Sequence, residues 1–249
     1  NIYLNKIIVM KIKNKIISLL SVIMLILITA IIAVLGLPCL VLPRKYTAKL
    51  INFWSKIMLS FFKNFDGLDW VVEGTDNIPK GPFVVASKHQ SVWDTIFFTA
   101  FFTDAAMVLK RVIIMIPFYG LHAIKAKMIW LDRKGHSKAL KKLIKQGKNC
   151  KKANRPIVIF PEGTRSKVGQ KNDYKPGVTA LYKFLNIPCV PVALNSGVYW
   201  ETKGLKRNKG KIIVKFIEPI KPGLDREKFE EKLEIVIESE TKILIDRSN

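Results

Sequence analysis

The chain has 249 residues, enough for one sizeable α/β domain or two small ones, and 49% of it is apolar, so a filled core is within reach. Its formal charge of +23 calls for an anionic partner: nucleic acid, a membrane surface or phosphorylated substrates. Cys39, Cys150 and Cys189 have no CxxC spacing, and His89, His122 and His136 form no pair at ligand spacing, which argues against a disulfide framework, a zinc site or any other metal cofactor.

No residue from Ile16 to Leu42 is charged, and Ile, Leu and Val dominate. That is long enough to cross a hydrocarbon core of ~30 Å as a helix. The run is too long for the apolar part of a signal peptide, and no small-x-small cleavage site follows it. Lys6, Lys11, Lys13 and Lys15 precede it, and Arg44, Lys45 and Lys49 follow, so both flanks carry the positive charge that marks a cytoplasmic side. Gly36 and Pro38 stop or bend the helix near its end. From Tyr46 to Phe65, Lys49, Lys56 and Lys63 recur every seven residues on one stripe among apolar neighbours, a pattern suited to the headgroup layer. Residues 1–66 are therefore expected to form a membrane-associated helical pair that embeds in one leaflet and returns to the cytoplasmic side. A single span is the alternative.

From residue 67 to 249 short apolar runs alternate with helical stretches. Phe83 to Ala86, Met128 to Leu131, Pro156 to Phe160, Val190 to Leu194 and Ile212 to Ile217 read as strands. Trp93 to Thr103, Ser137 to Cys150, Gly177 to Leu185 and Asp225 to Ile245 read as helices. The fold class expected is α/β, with a largely parallel central sheet flanked by helices. Ligands in such folds gather where strands end.

Four strand ends carry chemistry. The first, Ser87 to Asp94, places His89 five residues before Asp94. On a regular helix these would point ~140° apart. With His89 in the turn and Asp94 in the first helical turn they meet, and Asp94 holds one imidazole nitrogen while the other serves as a base. The plain alternative is a loop histidine beside an unrelated capping aspartate. The second, Met128 to Arg133, ends in an acid and a base, or is simply a strand running into charged loop residues. The third, Ile159 to Ser166, ends in a glycine-containing turn that offers N–H groups, a hydroxyl and a guanidinium, the donors a phosphate needs. The fourth, Val190 to Gly197, is another strand reaching a polar turn.

In order and spacing, Lys88-His89-Gln90-Ser91-Val92-Trp93-Asp94, Trp130-Leu131-Asp132-Arg133, Phe160 to Ser166 and Val190-Pro191-Val192 resemble the four blocks of the glycerophospholipid acyltransferase family. The resemblance is greatest to its 1-acylglycerol-3-phosphate acyltransferase members and runs from about Gly74 to Gly197. Lys88 stands where that family often has Asn, and Lys127 where it often has Gly. The resemblance implies His89 as general base and Asp94 as the group that fixes its tautomer. It also implies a phosphate-binding set of Arg133, Glu162, Gly163, Thr164 and Arg165, in which Arg133, Thr164 and Arg165 hold the phosphate and Glu162 and Gly163 shape the turn, with Lys127 as a further contact or a side chain pointing to water. Lysophosphatidic acid would be the acceptor, acyl-CoA or acyl carrier protein the thioester donor, and the product phosphatidic acid, with no cofactor. A covalent acyl-enzyme through Ser91 or a cysteine is the competing mechanism, but no GxSxG elbow is present. The acceptor, both donors and the membrane surface are anionic, which gives the charge a role at a membrane, with the catalytic domain on the cytoplasmic face.

A sibling acyltransferase acting on glycerol-3-phosphate or another lyso-lipid is the near alternative. A non-enzymatic, membrane-tethered binder of nucleic acid or anionic lipid is the distant one. Without an RNP motif or zinc-finger spacing, nucleic acid is not expected as a partner.

Overall fold

The computed structural model describes residues 2–132, 136–202 and 206–248, for 2–15 and 136 the backbone only. Helix α1 (Ile2–Leu35) leads through a 3-10 turn, Leu37–Leu40, into α2 (Arg44–Phe61), which ends in a π-helical turn at Phe62–Asp66. There follow β1 (Leu68–Glu73), β2 (Val84–Ser87), α3 (Val92–Phe101), β3 (Ala106–Lys110), α4 (Tyr119–Lys125), β4 (Ile129–Leu131) and α5 (His136–Lys152). The chain closes with β5 (Ile157–Ile159), α6 (Gly177–Leu185), β6 (Cys189–Leu194), α7 (Ser196–Tyr199), β7 (Gly210–Phe216) and α8 (Arg226–Asp246).

The strands pair in the order β1-β7-β6-β2-β5-β3-β4, and every pair is parallel except β6–β7. Alternation along the strands divides two cores. Val85, Met107, Val158 and Val190 point to the side of α2, α3 and α4, whereas Val84, Ala106, Ile157 and Cys189 point to the side of α5, α6 and α8. Both faces are therefore covered, and the central strands have no solvated side to mark with polar residues. The α/β reading with a largely parallel sheet holds. β1 and β3 were not among the expected strands. β1, at the sheet edge, sets Asp69 and Glu73 among apolar residues, and β3 is a short run that ends at Lys110.

The apolar helix is built inside out. Ser18, Ser21 and Ala33 of α1 are buried against the rest of the protein, while Leu19, Leu20, Ile23, Ile26, Leu27, Ile31 and Leu35 are exposed. Small and polar residues thus face protein, and large aliphatic ones face out. The inner face is tied down between Ser21 and Ala33. Ser21 Oγ donates to Asp66 Oδ2 (2.6 Å), Trp54 Nε1 donates to Thr29 Oγ1 (3.1 Å), and His122 Nε2 contacts Ala33 O (2.8 Å). That carbonyl lies in the last turn of α1, where helix oxygens lack partners. Gly36 makes the reversal possible, because a Cβ there would sit 2.2 Å from Leu50 Cδ2. Among the described residues one helix segment, Ile16–Leu35, is long and apolar enough to cross a membrane, with a mean hydropathy of 3.0.

α2 packs on α3. Asn52 Nδ2 donates to Thr99 O and Ala100 O (2.9 and 2.8 Å), satisfying carbonyls in the last turn of α3, and Ser55 Oγ meets Thr99 Oγ1 at 2.7 Å. α3 is short for its content of aromatic side chains, with Trp93, Phe97 and Phe98 all fully buried. At roughly 2 kcal/mol each, that burial anchors the helix regardless of its modest length.

Candidate active site

The C-terminal ends of the central strands converge on a cavity of about 1070 Å³. Leu25 and Thr29 of α1 and Trp54 of α2 line one part, Leu140 and Leu143 of α5 another. Between them the wall carries His89, Gly163, Thr164 and Arg165.

The turn after β2 presents His89. Asp94 is the third residue of α3, and its carboxylate is fully buried. Its Oδ2 accepts from the backbone N–H groups of Gln90 (2.7 Å) and Ser91 (2.9 Å), while Oδ1 accepts from Ser91 Oγ (3.1 Å). A carboxylate at a helix N-terminus that satisfies first-turn donors is the ordinary logic of a capping box. Here the same Oδ2 also lies 2.9 Å from His89 Nδ1. The aspartate therefore both caps the helix and grips the imidazole, and the two alternatives weighed from sequence turn out to be one arrangement. Nε2 of His89 faces the cavity with no hydrogen-bond partner among the described residues. The ring stacks on Phe160, centroids 3.9 Å apart, which fixes its plane.

The turn after β5 lies against the first. Ser166 donates to His89 O from its backbone N (2.8 Å) and from Oγ (3.2 Å). Gly163 sits at φ 66°, the left-handed region that glycine enters without strain, and turns Thr164 and Arg165 toward the cavity. The fourth block closes the ring, since Gly197 N donates to Gln90 Oε1 (3.0 Å) and Ser91 Oγ to Ser196 Oγ (3.1 Å).

Two of the named residues stand away from the cavity. Glu162 is buried and does not line the cavity. Its carboxylate accepts from Asn172 N (2.8 Å) and Ser166 Oγ (3.2 Å) and pairs with Lys88 Nζ (3.1 Å), so it holds the turn from behind. Lys127 is exposed before the start of β4, at the opposite end of the sheet from His89. Its φ of 55° explains why glycine suits that position, and the side chain goes to water. Arg133 lies outside the described residues.

Sequence reasoning missed Lys110, at the end of β3, and Lys175, whose N–H donates to Pro161 O (2.8 Å); both line the cavity. In a chain with 42 Lys and Arg residues nothing distinguished them. The candidate protein nucleophiles fare poorly. Ser91 is buried and committed to Asp94 and Ser196, and burial pushes the thiols of Cys150 and Cys189 up, away from the reactive thiolate.

The chain that carries this carboxylate-held imidazole, beside an arginine turn on an apolar cavity, is similar to known proteins. The family model described as Acyltransferase aligns with residues 69–195, which include every block above. The chain belongs to the acyltransferase family. A 1-acyl-sn-glycerol-3-phosphate acyltransferase of Pseudomonas aeruginosa is 40% identical over 161 residues, 65% of this chain and 63% of that protein. One from Saccharomyces cerevisiae is 30% identical over 186 residues, 73% of this chain and 61% of its own. The match thus spans a little over three fifths of these relatives. The crystal structure of the 1-acyl-sn-glycerophosphate acyltransferase PlsC from Thermotoga maritima superposes with a TM-score of 0.77 at 25% identity, covering 94% of this chain and 97% of that one. The likeness in fold therefore extends over nearly the whole molecule.

Proposed function

We propose that this acyltransferase moves a fatty acyl chain from a thioester, acyl-CoA or acyl carrier protein, to the free hydroxyl of 1-acylglycerol-3-phosphate, giving phosphatidic acid. The observation that carries the reading is the unpartnered Nε2 of His89 at the wall of an apolar cavity that also presents Thr164 and Arg165. The names of the relatives support the acceptor. Nε2 takes the proton of the acceptor hydroxyl as its oxygen attacks the thioester carbonyl. The C–S bond breaks, and the thiolate leaves with the proton returned from the imidazolium. Asp94 keeps Nδ1 protonated and stabilises the cation between those steps. Thr164 and Arg165 hold the phosphate, the guanidinium through parallel hydrogen bonds. No covalent intermediate is needed.

Residues 1–66 seat the enzyme in one leaflet, with residues 67–249 as the catalytic domain on the cytoplasmic face. The support is that the apolar part of α1 is tied to the body at Ser21, Thr29 and Ala33, which leaves no room for lipid on its inner side there. A second apolar patch adds to it, with Val112, Met115, Phe118 and Leu121 exposed on and before α4, next to α1. The anionic donor has a matching surface too. Lys138, Lys141, Lys145, Lys148 and Lys152 form one exposed stripe on α5, across the sheet from α1 and α2.

The test is to purify the protein in detergent and supply lysophosphatidic acid with each thioester in turn. Phosphatidic acid is expected from the native chain, with His89→Ala slower by about 10²–10⁴-fold. Equal product from the variant removes His89 as the base. No product from a folded native chain shifts the acceptor to glycerol-3-phosphate or another lyso-lipid.

A further inference from the structure

Lys88 immediately precedes the catalytic histidine, yet it is 1% exposed and does not line the cavity. Its backbone N–H donates to Val192 O in β6 (2.9 Å), which fixes the start of the turn. Its side chain runs to the side of the sheet that carries α8. There Nζ lies 2.8 and 2.9 Å from the two oxygens of Glu238, 3.1 Å from Glu162 Oε1 and 3.2 Å from Gln170 O. An ammonium has three protons to donate, and here three groups receive them. Tyr174 adds a hydrogen bond to Glu238 Oε1 (3.1 Å), and burial first, then the Glu238 and Glu162 carboxylates, push its hydroxyl well above the ordinary range, so it stays a donor.

Asparagine, frequent here in the family this chain resembles, is two bonds shorter and would leave Glu238 without its cation. Lysine joins three things that are far apart in sequence: the turn bearing His89, the turn bearing Thr164 and Arg165, and the C-terminal helix. We propose that Lys88 is a positioning residue for the anion-binding turn. By holding Glu162 from behind, with its own ammonium held by Glu238, it sets where Thr164 and Arg165 stand relative to His89. The inference rests on the acceptor-phosphate reading given above, and it makes α8, remote from the cavity, part of the support for substrate binding.

The experiment measures lysophosphatidic acid affinity directly, alongside KM for acceptor and donor, kcat, the pH profile and Tm. Native protein is compared with Lys88→Met, which keeps the length of the stem without the charge, and with Glu238→Gln, which leaves Lys88 paired with Glu162. Lys88→Met is expected to weaken acceptor affinity and raise acceptor KM about ten-fold or more, while kcat, donor KM and the pH profile stay within a few-fold of native. Glu238→Gln should shift the same two constants in the same direction by about three-fold, and adding it to Lys88→Met should do little more. Lys88→Arg, which keeps the charge, should restore most of the acceptor affinity.

Native acceptor affinity in a folded Lys88→Met overturns the proposal, whatever the activity. So does a loss that falls on kcat alone, or on every constant together in step with a lower Tm. If Lys88→Met does not fold, an unchanged acceptor affinity in Glu238→Gln overturns it. Should the native chain bind lysophosphatidic acid in a Lys88-dependent way but form no phosphatidic acid, the function reading falls and the positioning role stands. If it does not bind the lipid at all, both fall.

Discussion

The two turns that face each other across the cavity are finished to different degrees. In the base turn every polar group of Asp94 has a partner, His89 is held by Nδ1 and by its stacked ring, and its carbonyl receives Ser166. In the anion turn the backbone is equally fixed, with Glu162 buried behind it, but the Thr164 and Arg165 side chains have no hydrogen bond among the described residues. Chemistry requires a base whose tautomer and direction are set before the substrate arrives. Binding a mobile phosphate requires donors whose hydrogen bonds are still to be made. On the function proposed above, one turn is preorganised for a proton and the other for a ligand.

The contrast breaks most visibly at Asp94. Asp94→Asn keeps the size of the side chain but gives the imidazole a neutral partner that cannot stabilise its cation. A loss of about 10³–10⁴ in kcat is expected, with acceptor KM little changed. A loss confined to KM would mean that the base turn also binds. Arg165→Ala should do the converse. Acceptor KM rises about 10- to 100-fold through the lost bidentate pair, and kcat falls less. Equal falls in kcat for both variants would show that the turns act as one unit. The smallest effect sharpens the electrostatic side. Raising salt from about 0.05 to 0.5 M should lower kcat/KM several-fold by screening exposed lysines, while His89→Ala stays equally impaired at both salts. A flat response would restrict the role of the charge to the buried contacts.

The base turn was legible in the sequence and the support of the anion turn was not, for a physical reason. His89 and Asp94 are five residues apart, so a strand, a turn and a helix start bring them together with no knowledge of the rest. Glu162 belongs to an equally recognisable block, but its cation, Lys88, lies far back in the chain, and that cation's other partner is Glu238 on the last helix. Only the crossing of the sheet joins them, so the sequence offers Glu162 as a residue that shapes the turn without showing what holds it there. Lys127 is a different case. Its position is set by backbone conformation, φ 55°, and side-chain chemistry says nothing about it. At the level of the fold, strands buried on both faces were visible as apolar runs, whereas β1, an edge strand interrupted by Asp69 and Glu73, was not.

The grip of Asn52 on the end of α3 has a mechanical consequence. α3 is held at its last turn by α2, and its first turn carries Asp94 and, through it, the imidazole. Ten residues of α-helix measure about 15 Å. With α2 seated among headgroups as proposed, α3 works as a gauge rod, standing the base at a fixed height above the layer in which its substrate floats. Lengthening or shortening that rod by one turn would leave every side chain of the site in place in the sequence and carry the base to the wrong depth.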